Sequence, residues 1–202
     1  MNTLQDLLRW TSDHLGEYDH AWALVGGWAV SIRTEPRFTR DVDVAVAVET
    51  DHEAEALVSA LTAGPFVIDS VVEQDAVSRL ATVRLRPKAT GDSGMLLDIL
   101  FASSGIEREV CASAEWLECL PGVRVPVARC THLLALKILA RDDQLRPQDA
   151  GDIRALIREM STEEMNEAKI LLGLISERGF DRGRNLQKEL ERARREFGLP
   201  NE

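Results

Sequence analysis

Residues 24–46 read Leu24-Val25-Gly26-Gly27-Trp28-Ala29-Val30-Ser31-Ile32-Arg33-Thr34-Glu35-Pro36-Arg37-Phe38-Thr39-Arg40-Asp41-Val42-Asp43-Val44-Ala45-Val46, and two changes of pattern inside this stretch decide the fold. The apolar run at residues 21–25 stops at Gly26-Gly27, and residues 28–32 can open a helix. That is strand, glycine turn, helix. After Arg40, Val42, Val44, Val46 and Val48 alternate with Asp41, Asp43, Ala45 and Ala47, the period-two signature of a strand. Asp41 and Asp43 therefore project from the same side of that strand, about 7 Å apart at their Cα atoms.

Two carboxylates so placed can share a divalent cation, and a hard cation such as Mg²⁺ is held by one or two carboxylates together with substrate phosphates. A Gly-Gly turn ahead of a helix lets backbone approach a phosphate closely, with helix N–H groups to receive it. Asp98 stands in the apolar run Met95-Leu96-Leu97-Asp98-Ile99-Leu100-Phe101, where an ionised carboxylate is costly unless paired or metal-bound. Beside the Asp41 strand, it would complete a metal site or take the proton from an attacking hydroxyl.

Outward from this centre, Leu4, Leu7, Leu8 and Leu15 mark an opening amphipathic helix, and residues 51–63 a second one closed by Gly64-Pro65. Strands are expected at 66–72, 79–86 and 95–101, the last two joined by a turn at Gly91-Asp92-Ser93-Gly94. A short hairpin is expected around Pro121-Gly122, ending with a strand at 123–127. From Thr131 the pattern turns helical, through 153–160, 163–176 and 184–197. The fold class is thus α/β: a mixed-sheet core with flanking helices over residues 1–128, then a helical domain over 129–202 that closes the cleft. No repeat or low-complexity tract interrupts this layout.

The net charge of −10 opposes nucleic-acid binding by the protein as a whole, since phosphate backbones are held mainly by Lys and Arg. A local exception lies in residues 178–195, where Arg178, Arg182, Arg184, Lys188, Arg192, Arg194 and Arg195 outnumber Asp181, Glu189 and Glu191. It reads either as a solvated helix face or as a contact for RNA phosphates. Cys111, Cys119 and Cys130 form no CxxC pair, and Cys130 with His132 lacks the second ligand pair of a zinc site. His14, His20, His52 and His132 give no H-x-x-x-H motif and no serine lies in G-x-S-x-G, so hydrolase chemistry has no support. The amino terminus carries no signal-peptide pattern and no apolar run could span a bilayer, so a cytoplasmic, membrane-free protein is expected.

The glycine pair, the hydrophobic-flanked Asp41-Val42-Asp43 and the later Asp98 together resemble the nucleotidyltransferase superfamily motif. The run at residues 24–46, above all Thr39-Arg40-Asp41-Val42-Asp43, is similar to the AbiEii and MenT-type nucleotidyltransferase toxins of bacterial toxin–antitoxin pairs. The likeness continues through His132-Leu133-Leu134-Ala135-Leu136-Lys137, Arg141 and Arg146-Pro147-Gln148-Asp149-Ala150-Gly151-Asp152-Ile153. One departure is Arg146-Pro147-Gln148-Asp149 where the family often has Arg-x-Arg-Asp, which leaves Asp149 and Asp152 both open as its last acidic residue, Asp152 being preferred.

This resemblance implies transfer of a nucleoside monophosphate from a nucleoside triphosphate, with a pyrimidine base favoured, to RNA at the 3′ end of tRNA. Growth arrest would follow, restrained by an antitoxin protein. It implies Mg²⁺ on Asp41, Asp43 and Asp98, with catalytic roles extended to Lys137 and Asp152. Gly26, Gly27, Arg37, Thr39, Arg40 and Lys137 would hold the nucleotide, and Lys137 on a helix could stabilise departing pyrophosphate. Asp152 would hold Lys137 or touch the nucleotide. Thr39 is also expected near the reacting phosphate, where a modification would repel nucleotide. Trp28, beside the glycine turn, is the one tryptophan considered for base stacking. The rival readings are an antibiotic-modifying nucleotidyltransferase and a non-catalytic binding module, an acidic cleft favouring the first rival and a basic one RNA.

Overall fold

Helix α1 (Leu4–Leu15) starts where the Thr3 hydroxyl accepts from the Asp6 amide while the Asp6 carboxylate accepts from the Thr3 amide. The computed structural model describes residues 3–74, 78–89 and 95–197. Strand β1 (Trp22–Val25) runs directly into α2 (Gly26–Arg33), and β2 (Asp41–Val46) follows after a loop. Thr50 caps α3 (Asp51–Ala63) by accepting from the Glu53 amide. Then come β3 (Phe66–Gln74), β4 (Arg79–Pro87), β5 (Leu96–Leu100), α4 (Glu107–Ala112), β6 (Glu115–Leu120) and β7 (Val123–Val127). The chain ends in α5 (Cys130–Ala140), α6 (Gln148–Glu159), α7 (Thr162–Glu177) and α8 (Leu186–Glu196). Ser161 with Glu164, and Asn185, cap the last two helices.

Among the described residues the strands form one seven-stranded sheet in the order β3-β4-β5-β2-β1-β7-β6. It is mixed: β1 lies antiparallel to β2 and parallel to β7, while β2 and β5 are parallel. The carboxylate-bearing strands are therefore the central neighbours of the sheet. Burial along β2 follows the alternation, with Val42, Val44 and Val46 in the core, until Ala45 is covered on the other face as well. There the Cys111 thiol of α4 donates to the Ala45 carbonyl. One continuous apolar core joins Leu7 and Leu8 of α1, Val44, Ile99, Leu134 of α5, Ile153 of α6 and Leu172 of α7.

Two elements differ from expectation. Helix α4 was not foreseen, because its six residues are too short for a hydrophobic period to register. It is set by Glu107, whose buried carboxylate accepts from the Ser103 and Ser104 amides and the Ser104 hydroxyl. The hairpin strand β6 begins at Glu115, earlier than expected, since it is a mostly exposed strand without apolar alternation. The turn expected at residues 91–94 lies outside the described residues.

Candidate active site

Three backbone segments converge on the acidic cluster. Parallel pairing of β2 with β5 sets Asp43 opposite Asp98, and antiparallel pairing of β1 with β2 sets Val25 opposite Asp43. Gly26 follows immediately at φ +65°, and a Cβ there would collide with the Asp43 carboxylate. A side chain at residue 26 would thus be strained twice, by backbone conformation and by contact. Gly27 is small for another reason: a Cβ would run into the Arg37 guanidinium.

Asp41, Asp43, Asp98, Gly26, Arg84, Lys137, Arg146 and Arg182 line one cleft of about 480 Å³ between the sheet and the helices, with Ser103 and Ser104 on its wall. Burial and the nearby Asp98 charge push the Asp43 carboxyl up to about 6, and the same two causes raise Asp41. Arg84 of β4, opposite Asp98 in the antiparallel pairing, binds both Asp98 oxygens at 2.7 and 2.6 Å. That bidentate pairing raises the Arg84 pKa still further.

A hard divalent cation fits this donor set: Asp41 and Asp43 offer carboxylate oxygens whose crowded negative charge a cation would relieve. Yet no group of three His, Cys, Asp or Glu among the described residues is gathered as a ready metal cage. The expected third ligand, Asp98, has each oxygen accepting from Arg84, which leaves one lone pair per oxygen for either of its expected roles.

Opposite the carboxylates, Lys137 of α5 is almost fully buried and donates to Asp149 at 2.7 Å, with Asp152 at 2.8 Å. Asp152 also receives Arg37 through two bonds of 2.5 and 2.7 Å. Both acidic candidates of α6 thus hold Lys137, and neither lines the cleft itself. Their burial explains the pairing, because an unpartnered charge there would be strongly destabilising.

The structure does not bring the other expected nucleotide contacts into this cleft. Arg37 and Thr39 line a separate groove with Trp28 and Phe38, and Arg40 lies exposed over the Phe38 ring, 6.0 Å from its centroid. Arg37 is drawn away by Asp152, a partner 115 residues distant that no local pattern indicates. Conversely, Arg84 reaches the cleft, as does Arg182 of the basic stretch that the sequence offers as a contact for RNA phosphates. Arg84 carries no distinguishing trace in the sequence, since it stands on the half-exposed face of an alternating strand, and its partner follows only from register. Among the described residues Cys130 and His132 belong to no metal cluster.

The family model described as "Nucleotidyl transferase AbiEii toxin, Type IV TA system" matches residues 13–200, nearly the whole chain. The chain belongs to the AbiEii nucleotidyltransferase toxin family. It is accordingly a nucleotidyltransferase, and its helical half lies within the family match. Similar solved structures agree in fold. The antibiotic-resistance factor ANT(2'')-Ia in solution gives a TM-score of 0.53 at 20% identity, covering 88% of this chain and 94% of that one. An antigenic nucleotidyltransferase-like protein from Paracoccidioides brasiliensis gives a TM-score of 0.52 at 19% identity, covering 93% and 92%. Among the curated proteins none matches the chain. Among the described residues no helix is long and apolar enough to cross a membrane.

Proposed function

We propose that this AbiEii-family chain transfers a nucleoside monophosphate from a nucleoside triphosphate to the 3′ end of an RNA, with tRNA the acceptor. The observation that carries the choice of acceptor is the cleft itself: Arg84, Lys137, Arg146 and Arg182 share its walls with the three carboxylates. Arginine at the outer wall suits a polyanionic acceptor and opposes a cationic antibiotic.

In this reading Asp41 and Asp43 hold Mg²⁺, which neutralises charge developing on the transferred phosphoryl group. Lys137, fixed by Asp149 and Asp152, presents its ammonium to the triphosphate and stabilises the departing pyrophosphate. Asp98 orients the attacking hydroxyl or accepts its proton on a lone pair that Arg84 leaves free. The Arg84 guanidinium stands beside the reacting phosphates as a donor. Gly26 keeps the floor of the cleft open next to Asp43. The type IV toxin–antitoxin description of the family supports growth arrest as the consequence and an antitoxin protein as the partner.

The test is transfer of label from each nucleoside triphosphate in turn to total tRNA with Mg²⁺ present. Asp41→Ala is expected to lower the rate by roughly 10²–10³-fold or more. Label that reaches a small-molecule aminoglycoside but not tRNA would overturn the RNA reading and install the antibiotic-modifying one.

A further inference from the structure

Beyond the carboxylates, the cleft continues into a second depression of about 490 Å³. The two share Leu139, Ala140, Leu145, Arg146 and Arg182 as a common wall. Arg184 and Arg192 extend the second depression onto α8. Each space alone is large enough for about one nucleotide.

The charges along this wall are unevenly matched. Arg141 is taken up by Asp143 and Glu196, although its buried Nη1 has no hydrogen-bond partner among the described residues. Arg184 donates to the Leu139 and Arg141 carbonyls at the end of α5 and stands 3.9 Å from Glu189. Arg192 is only 4.0 Å from Asp143 at its nearest, and Arg146 is 3.5 Å from Asp149. Asp142, the remaining acid of the depression, is occupied by the Gln144 and Leu145 amides. Arg182 has no ion pair among the described residues, and it is exposed, with φ +56°. The residue as a whole is open to solvent while its guanidinium is partly desolvated, and that desolvation, then repulsion from Arg146 and Arg184, lowers its pKa. Leu145, 81% exposed, offers an apolar surface at the junction of the two spaces.

A row of under-neutralised guanidinium groups on a protein of net charge −10 is unfavourable by itself and is relieved by a polyanion. We propose that Arg146, Arg182 and Arg192 form a lane for the phosphodiester backbone of the acceptor strand, with the penultimate base against Leu145. This deepens the RNA-acceptor reading and rests on it. A triphosphate at Lys137 and Asp43 fills the first space, so the lane holds the nucleotides that lead into it. Guanidinium groups bind phosphate oxygens bidentately and stack on bases, which suits single-stranded RNA without demanding a sequence.

The test measures binding of a short, labelled, single-stranded oligoribonucleotide to the full chain carrying Asp41→Asn, with no nucleoside triphosphate present. Adding Arg182→Gln and Arg192→Gln should weaken binding about 10-fold or more and reduce the slope of log affinity against log salt by about 1.4. Arg182→Lys with Arg192→Lys should keep the salt slope while losing part of the affinity, which separates charge from a folding defect. Nucleoside triphosphate affinity, measured separately on Arg192→Gln alone, whose side chain lines only the second depression, should change less than about 2-fold. Unchanged RNA affinity and salt slope in the glutamine variant would overturn the lane. So would a fall confined to triphosphate binding, which would make these arginines part of the nucleotide site. Because binding is read without turnover, transfer to RNA could succeed while the lane fails, or fail while the lane stands.

Discussion

At the scale of single residues, the active-site cleft depends on Gly26 more than on either of its neighbours. Its φ of +65° and its contact with the Asp43 carboxylate leave no room for a side chain. Gly26→Ala is therefore expected to destabilise the fold by about 1–3 kcal/mol and to displace the carboxylate. Urea unfolding and the nucleotidyl transfer rate together check this, and a variant with full stability and full activity would contradict it. Gly27→Ala meets a different obstacle, the Arg37 guanidinium, which is the end of a flexible side chain. The double glycine thus serves two separate contacts, although a single phosphate-approach role fits the sequence equally well.

At the scale of elements, α6 fastens the helical half to the loop ahead of β2. Asp152 holds Lys137 of α5, on the cleft wall, and Arg37 of that loop at once. Removing the carboxylate leaves Arg37 without its anion and the buried Lys137 with Asp149 as its remaining partner. Asp152→Ala should cost about 3–5 kcal/mol of stability by urea denaturation, and Lys137→Met added to it should recover part of that loss. Additive effects of the two changes would show that Asp152 does not act through Lys137. The strand pairing is legible only in part: the alternation at residues 41–48 marks a strand and its two faces, but the register that sets Asp43 beside Asp98, and Arg84 beside Asp98, comes from which strands become neighbours.

At the scale of the whole molecule, two buried groups make the metal-free protein respond to acid in opposite senses. Asp43 is raised from 3.8 to about 6 by burial and Asp98, so the native state binds its proton first and this group favours folding as pH falls through that window. His132 is lowered from 6.5 to about 4 by burial and then by Arg129, so the unfolded state binds its proton first. Its effect is absent above pH 6.5 and destabilises progressively as pH falls towards about 4. In the absence of divalent cations, Asp43→Asn should be more stable than the parent at pH 7. That advantage should shrink as pH falls from about 6 to 3.8, leaving the variant with the steeper acid loss. Melting temperatures of both proteins across this range decide it, and a constant difference would count against a raised Asp43.

The sequence by itself determined what local periodicity and residue chemistry can carry. Alternating valines fix a strand with Asp41 and Asp43 on one face, Gly26-Gly27 fixes a tight strand-to-helix turn, and leucine spacing fixes the carboxy-terminal helices. The family likeness was also legible there, because its most telling part, residues 24–46, lies within a single stretch. Tertiary structure alone decided the partners of the charges. Arg84 locks Asp98, Arg37 turns from the cleft to Asp152, and Arg182 joins Arg146 at its mouth. The physical reason is range. Backbone periodicity is written over a few neighbouring residues, whereas a buried charge takes whichever opposite charge the folded chain brings within reach, and that is set by strand order and helix packing.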